Sequence, residues 1–334
     1  MQARTALSLL IAAGLVLGAA WLYGPGETAP VIAEAGRLVF PGLAPKLPQV
    51  ARVDIQSKGV TMGIAPAKGK WGLADRGFYP VQQDRLRELL TGLTELRLAE
   101  ARTSDPAQYG RLGVEDPGPG GTANLVRLLD AQGKPIIELI VGHRRVRTQG
   151  NVPETIFIRR PGEAQSWMAE GRLPLDADPQ LWVERDIANI AGTSIAKVTS
   201  QRGATTLEFA RIGERFTLVS PTSVRKLDDY RIEEVSRAME SLTLTDVRAA
   251  SPPGDGIGTA VFTTTAGMTI TARLFKADKD VWAQFTAAGP GAEPLQARID
   301  GWAYQLGAWK EKSFLPTMED LLAEEPAKPA ASDD

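Results

Sequence analysis

The chain has 334 residues, of which 43 % are hydrophobic and 23 % charged, a composition typical of a soluble globular body with room for two domains. Its 38 lysines and arginines nearly balance its 40 aspartates and glutamates, so the overall charge does not favour nucleic acid as a partner. There is no cysteine and one histidine, His143, which excludes disulfides, thiolate metal sites and a Cys–His or Ser–His catalytic cluster. No metal or cofactor is predicted.

The amino terminus carries an uncharged apolar run, LSLLIAAGLVLGAAWLY, at residues 7–23. As a helix it would be about 25 Å long, which is just enough to span a bilayer. Arg4 precedes the run and acidic residues follow it, so the positive-inside bias places residues 24 onward outside the cytoplasm. We predict an uncleaved inner-membrane anchor over residues 1–23 and a periplasmic body, with a cleaved signal peptide as the alternative.

Residues 24–49 are rich in proline and glycine and are predicted to be a tether. After them the chain repeats itself, because VARVDIQ (50–56) aligns with IAKVTSQ (195–201). Helical spacing of apolar residues then predicts amphipathic helices over 82–98 and 228–243. The apolar positions of the two helices are Leu86, Leu89, Leu93 and Leu96, and Ile232, Val235, Met239 and Leu242.

Each predicted helix is followed by two runs of apolar and β-branched residues with a short turn between them. TANLVRLLD and PIIELIVG lie on either side of AQGK, and TAVFTTT and MTITARLF lie on either side of AG, which predicts two hairpins. The sequence therefore predicts an α+β fold of two tandem repeats, over 50–190 and 191–320. Each repeat is a mostly antiparallel sheet with one main helix. The tail, 321–334, is predicted to be disordered.

A similar phrase ends each copy: LWVERDI at 181–187 and AWKEKSF at 308–314. Shared apolar positions in a repeat indicate a shared core. We therefore expect Trp182, Ile187, Trp309 and Phe314 to pack inward, with the acidic and basic residues between them left in solvent.

Three patterns resemble catalytic or binding motifs. Ser194 and Lys197 form an S-x-x-K pair, but the alignment puts Lys197 on a strand, where positions three apart face opposite sides. The GPGG at 118–121 lacks the ending of a phosphate-binding loop and is expected to be a turn. Acidic pairs such as Asp228 and Asp229 are expected to be turn residues and helix caps.

One local concentration of positive charge could bind a partner. It comprises Arg144, Arg145, Arg147, Arg159 and Arg160 on a predicted hairpin. Such a patch suits anionic lipid headgroups, an envelope polymer or an acidic protein. A solvated hairpin without a partner is the alternative.

Asp105 and Pro106 are predicted to cap and begin a short helix that Gly113 ends. This helix belongs to one of five ordered motifs through which the chain resembles a bacterial family, domain-of-unknown-function family 4340. The motifs are FPGL (40–43), YGRLGVEDP (109–117), ELIVG (138–142), IFIRRPGEAQSWM (156–168) and WVERDI (182–187). The resemblance covers most of residues 38–190 and implies a membrane-anchored extracytoplasmic accessory of a gliding-motility-type ABC exporter. It supplies no catalytic residues.

The leading hypothesis is therefore a non-catalytic periplasmic scaffold or partner-binding module on the inner membrane. An envelope-glycan binder that uses exposed tryptophans and the arginine hairpin is the second hypothesis. A hydrolase, with Ser194 as its best candidate nucleophile, is the third.

Overall fold

The computed structural model of the chain describes residues 35–145, 154–249 and 251–323. The predicted anchor, the first part of the predicted tether and most of the predicted tail lie outside these ranges. Within them, none of the helices is both long enough and apolar enough to cross a membrane.

The described strands form two large sheets and one small one, and every pairing with a described register is antiparallel. The nine strands of the first sheet are β1 (Arg52–Ser57), β2 (Val60–Ala67), β3 (Lys70–Leu73), β4 (Tyr79–Pro80), β5 (Arg97–Ala101), β6 (Asn124–Leu129), β7 (Pro135–Arg145), β8 (Thr155–Arg159) and β9 (Ser166–Glu170). The eight strands of the second are β11 (Ile195–Arg202), β12 (Thr205–Ile212), β13 (Arg215–Ser220), β15 (Asp246–Ala249), β16 (Asp255–Thr264), β17 (Thr269–Ala277), β18 (Asp280–Ala288) and β19 (Trp302–Leu306). The small sheet pairs β10 (Asp186–Ala188) with β14 (Leu242–Thr243).

The strand orders of the two large sheets correspond. The first runs β4-β3-β2-β1-β6-β7-β8-β9-β5 and the second β13-β12-β11-β16-β17-β18-β19-β15. From β3 to β5 each strand of the first sheet has a counterpart in the same place in the second. The predicted hairpins, β6 with β7 and β16 with β17, are both confirmed. The protein is therefore α+β, with two large, mostly antiparallel sheets.

Of the described helices, only the one predicted over 82–98 is longer than eight residues. They are α1 (Gln83–Glu95), α2 (Tyr109–Leu112), α3 (Asp229–Ser236), α4 (Glu293–Ile299) and α5 (Lys310–Phe314). The apolar positions predicted for α1 and α3 are buried in both copies. The Asp228 carboxylate accepts from the backbone N–H groups of Tyr230 and Arg231, as expected of a cap.

Helix α3 is shorter than the predicted 228–243. The hydroxyl of Ser236 donates to the carbonyl oxygen of Glu233, a local bond that competes with the helical pattern, and Ser241 has a left-handed backbone. Met239 and Leu242 are nevertheless buried, Met239 in the turn that follows the helix and Leu242 on β14.

By density of contacts the chain divides into two compact units. Of the described residues, the first unit contains those within 35–50, Ile55–Val60 and Arg87–Leu175, and the second those within Ala51–Asp54, Thr61–Leu86 and 176–323. A cluster of Tyr109, Val114, Ala123, Ile140 and Phe157 forms a core of the first unit. The rings of Phe262, Phe285, Phe314 and Tyr304 pack at centroid distances of 5.5 to 6.0 Å in the second.

Residues 35–49, predicted to be part of a tether, instead pack on the first unit. Val39 and Leu43 are buried, and the Val39 N–H donates to the carbonyl oxygen of Leu96. Proline and glycine here make turns and a 3-10 helix at Ala44–Gln49 rather than a linker. At the other end, Leu321 is buried although it was predicted to begin the disordered tail.

Of the two similar motifs, LWVERDI at 181–187 packs as predicted, whereas AWKEKSF at 308–314 does so only in part. Trp182, Ile187 and Phe314 are buried, but Trp309 is 64 % exposed. The second phrase is helical, so residues five positions apart, such as Trp309 and Phe314, point to different sides. Lys310 is buried in place of the tryptophan, and Glu311 pairs with Arg202 and Lys276 rather than facing solvent alone.

Candidate functional site: an arginine-lined groove

Arg159, predicted as a partner-binding residue, is instead a structural one. Its side chain is buried, and the guanidinium donates to the carbonyl oxygens of Val114 and Glu163 and to the Asp116 carboxylate. The guanidinium also lies 4.6 Å from the centre of the Tyr109 ring. These contacts use the donors of Arg159 within the chain and give it a structural role, and its binding of a partner stays a prediction.

Arg160 is also occupied by contacts within the first unit. Its guanidinium donates to the carbonyl oxygen of Val39 at 2.7 Å, pairs with Glu163 at 3.3 Å and lies over the Phe40 ring. Arg160 therefore holds the segment at 35–49 against the sheet. Arg147 lies outside the described residues.

The remaining two arginines of the predicted patch, Arg144 and Arg145, are exposed at the end of β7. Neighbouring residues on a strand face opposite sides of the sheet. Arg144 pairs with Glu154 at 3.5 Å, whereas Arg145 lies 5.3 Å from the Phe157 ring. Only Arg145 therefore faces the side of the sheet on which Phe157 lies.

On that side Arg145 lines an open groove of about 530 Å³ with two arginines that are distant from it in sequence, Arg102 and Arg111. Glu100, Gln108 and Leu112 also line the groove. The Arg102 guanidinium lies 5.7 Å from the Phe157 ring, so two guanidinium groups, those of Arg102 and Arg145, lie beside Phe157. The whole groove belongs to the first compact unit.

Three elements position the arginines. Arg102 directly follows β5, Arg111 is on α2, and Arg145 ends β7. The position of α2 is set at both ends: the Asp105 carboxylate caps the preceding 3-10 turn, and Gly113 ends the helix with a φ of 68°.

Two further contacts fix α2 against the sheet. The Tyr109 hydroxyl donates to the carbonyl oxygen of Ala164. Gly142 on β7 lies so close to the carbonyl oxygen of Leu112 that any larger residue would collide with it. The motif residues predicted as architecture thus build one wall of the groove.

The groove is positively charged. Three arginines against one glutamate leave a net charge of +2 among its lining residues. Arg102 pairs with Glu100 at 2.9 Å, and Arg111 hydrogen-bonds Gln108 at 3.2 Å. Among the residues that the structure describes, neither Arg111 nor Arg145 forms an ion pair. Guanidinium groups bind carboxylates in a bidentate manner, so the groove suits an acidic ligand.

The turn after α2 contains a second polar cluster, which is structural. The Glu115 carboxylate accepts from the backbone N–H groups of Thr122 and Ala123 and from the Thr122 hydroxyl. Burial alone would raise the pKa of Glu115, but these hydrogen bonds outweigh it and lower the pKa. The GPGG turn at 118–121 lies in this loop, as predicted.

The other sequence candidates are not brought together as a catalytic site. Ser194 ends a 3-10 turn, whereas Lys197 lies on β11 and pairs with Glu208 at 3.5 Å. In the described ranges, no three His, Asp or Glu residues are grouped as metal ligands.

Sequence reasoning missed Arg102 and Arg111. Their neighbours in sequence carry no pattern that distinguishes them from solvated arginines. The fold brings them to Arg145, Arg102 from the end of β5 and Arg111 from α2. The one available signal was that Arg111 lies inside the YGRLGVEDP motif.

The fold and the groove define a class: an α+β protein of two large antiparallel sheets with a basic groove on the first unit. A family model described as "Domain of unknown function (DUF4340)" matches residues 71–256, which is more than half of the chain. The chain belongs to this family. The match begins after the FPGL motif and extends into the second sheet, further than the motifs indicated. No curated protein and no solved structure matches the chain.

Proposed function

We propose that the protein is a non-catalytic accessory or scaffold protein of the bacterial envelope that binds an acidic segment of a protein partner in the arginine groove. The observation that carries this proposal is the convergence of Arg102, Arg111 and Arg145 on one face, beside Phe157. Arginine with an aromatic ring is a frequent combination at the centre of protein interfaces. Charge complementarity there would contribute specificity and fast association.

The proposal also places the protein at the inner membrane. The apolar run at 7–23 supports a single amino-terminal anchor, with the body in the periplasm. The corresponding strand orders support two tandem repeats, each with one main helix. The resemblance implies a partner in an ABC-exporter or gliding-motility-type complex.

Co-purification of the full-length protein from its native membranes, after mild crosslinking, tests the proposal. The double variant Arg111→Ala/Arg145→Ala should lose a membrane-complex partner that the wild-type protein recovers. Arg144→Ala is the matched control, because it removes an arginine from the same strand but from the opposite face. Recovery of the partner by the double variant, or of no partner by the wild type, would contradict the proposal.

Binding to an envelope glycan is the second candidate, and one observation favours it. Trp309 is 64 % exposed and lines a groove of about 300 Å³ with Glu234, Lys312 and Asp320. An exposed indole beside polar groups can stack on a sugar ring. Sedimentation with purified peptidoglycan separates the two candidates, since this function requires Trp309 and not Arg111 or Arg145.

A further inference from the structure

The second compact unit contains a cleft that the proposed function does not use. Its volume is about 480 Å³, within the range of roughly 300 to 1,000 Å³ typical of small-molecule sites. The polar and charged side chains that line it are Lys70, Tyr79, Gln83, Glu184, Asp186 and Arg298. They come from separate parts of the sequence: Tyr79 lies on β4, Asp186 on β10 and Arg298 on α4.

Backbone bonds hold two of these segments together. The Glu184 N–H donates to the carbonyl oxygen of Pro80 at 3.1 Å, and Val81 pairs with Val183 in an antiparallel bridge. The Gln82 N–H donates to the carbonyl oxygen of Trp182 at 2.7 Å. The cleft is therefore built on a fixed backbone rather than on a free loop.

A pair of buried tyrosines lies beneath the charges. Tyr79 and Tyr304 are 2 % and 0 % exposed, and their ring centroids are 6.1 Å apart. Burial raises the pKa of Tyr79 to about 12 and also raises that of Tyr304. Both phenols are therefore neutral at physiological pH and add no charge to the cleft.

Charges of both signs line the cleft without pairing with each other. Lys70 and Arg298 are cationic, Glu184 and Asp186 are anionic, and all four are exposed. Within the described part of the chain none of the four forms an ion pair. A ligand with one positive and one negative group could satisfy both sets at once, by charge-assisted hydrogen bonds.

We propose that this cleft binds a short peptide with free ends, whose carboxylate faces Lys70 and Arg298 and whose ammonium group faces Glu184 and Asp186. The size of the cleft favours a short peptide over a single amino acid. The exposed charges select the two ends.

Isothermal titration calorimetry of the full-length protein with trialanine tests the inference. N-acetylated trialanine and trialanine amide are the matched ligands, because each lacks one terminal charge. We expect saturable binding of trialanine, weakened about tenfold or more by blocking either end.

Two double variants show which side chains bind each end of the peptide. Lys70→Gln/Arg298→Gln should bind trialanine and trialanine amide equally, and Glu184→Gln/Asp186→Asn should bind trialanine and its acetylated form equally. Asp300→Asn, an exposed carboxylate on the neighbouring surface, is the control and should bind like the wild type. The same thermal unfolding temperature in all variants shows that they fold.

The absence of saturable trialanine binding at millimolar concentration would overturn the inference, as would equal affinity of the wild type for the blocked peptides. The double variant Arg111→Ala/Arg145→Ala should retain peptide binding. Failure of the partner-binding proposal and failure of this one are therefore distinguishable.

Discussion

At the residue scale, two tryptophans with similar sequence neighbours have opposite environments. Trp182 is fully buried, its indole N–H donates to the carbonyl oxygen of Asp176, and the Arg85 guanidinium lies 5.1 Å from its ring. Trp309 is largely exposed and has the Lys310 ammonium 4.5 Å from its ring. The sequence motif predicted a common core position, but the local backbone decides which side chain turns inward.

We predict that Trp182→Ala lowers the free energy of unfolding by about 3 to 5 kcal/mol, because it leaves a large cavity. Trp309→Ala should lower it by less than about 0.5 kcal/mol, because an exposed side chain loses little packing. Chemical denaturation of both variants measures the difference. Similar losses for the two variants would show that Trp309 is packed after all.

Arg159 provides a second test of a buried side chain. We predict that Arg159→Lys lowers the free energy of unfolding by about 2 kcal/mol, because lysine cannot reach the carbonyl oxygens of Val114 and Glu163 together. Denaturant titration against Arg144→Lys, which changes an exposed arginine, is the measurement. If both variants unfold at the same denaturant concentration, Arg159 does not hold the YGRLGVEDP motif.

At the element scale, helix α5 and the turn after it are joined by a polar cluster. Asp320 pairs with Lys312 at 2.8 Å and accepts from the backbone N–H and hydroxyl of Thr317. Burial alone would raise the pKa of Asp320, but these hydrogen bonds outweigh it and lower the pKa from 3.8 to about 2.

This depressed pKa predicts a loss of stability in acid. Between pH 3.8 and about 2 the unfolded chain binds the proton more readily than the folded chain does, so the contribution of Asp320 is full above this window and is lost within it. Asp320→Asn should therefore be less stable than the wild type at about pH 6, and the difference should shrink towards about pH 2. A difference that is independent of pH would contradict this assignment.

The segment at 35–49 is packed, although its composition predicted a tether. Its prolines and glycines are typical of a linker, whereas Val39 and Leu43 are buried as core residues. We predict that Leu43→Ala lowers the free energy of unfolding by about 2 kcal/mol or more, measured against Lys46→Ala as an exposed control in the same segment. No difference between the two variants would restore the interpretation as a tether.

Amphipathic spacing located α1 and α3, and alternating apolar runs located the hairpins, because burial of one face imposes these periods. The end of α3 was not predictable in the same way, since the helix ends at Ser236 while the buried apolar positions continue to Leu242. Burial of Arg159 was unpredictable for a similar reason: it results from carbonyl groups that only the fold brings together.

At the scale of the whole molecule, the two sheets share a strand order, but their surfaces have diverged. The arginine groove lies in the first unit and depends on Arg111, whose YGRLGVEDP motif has no counterpart in the second copy. The sequence predicted a basic partner-binding patch on a hairpin. Only Arg145 of that patch lines the groove. Arg159 and Arg160 are held by contacts within the first unit, and the other two arginines of the groove are Arg102 and Arg111.

Site-specific photocrosslinking in the native envelope tests the central claim, that the groove binds an acidic segment of a protein partner. A photoreactive residue replaces Gln108 in the groove or, as a control, the fully exposed Val224 in the second unit. We expect one crosslinked partner from position 108, mapped by mass spectrometry to an acidic segment. That product should be absent from position 224 and lost in Arg111→Ala/Arg145→Ala. No product from position 108, or one that survives the double substitution, would show that the groove does not bind such a segment.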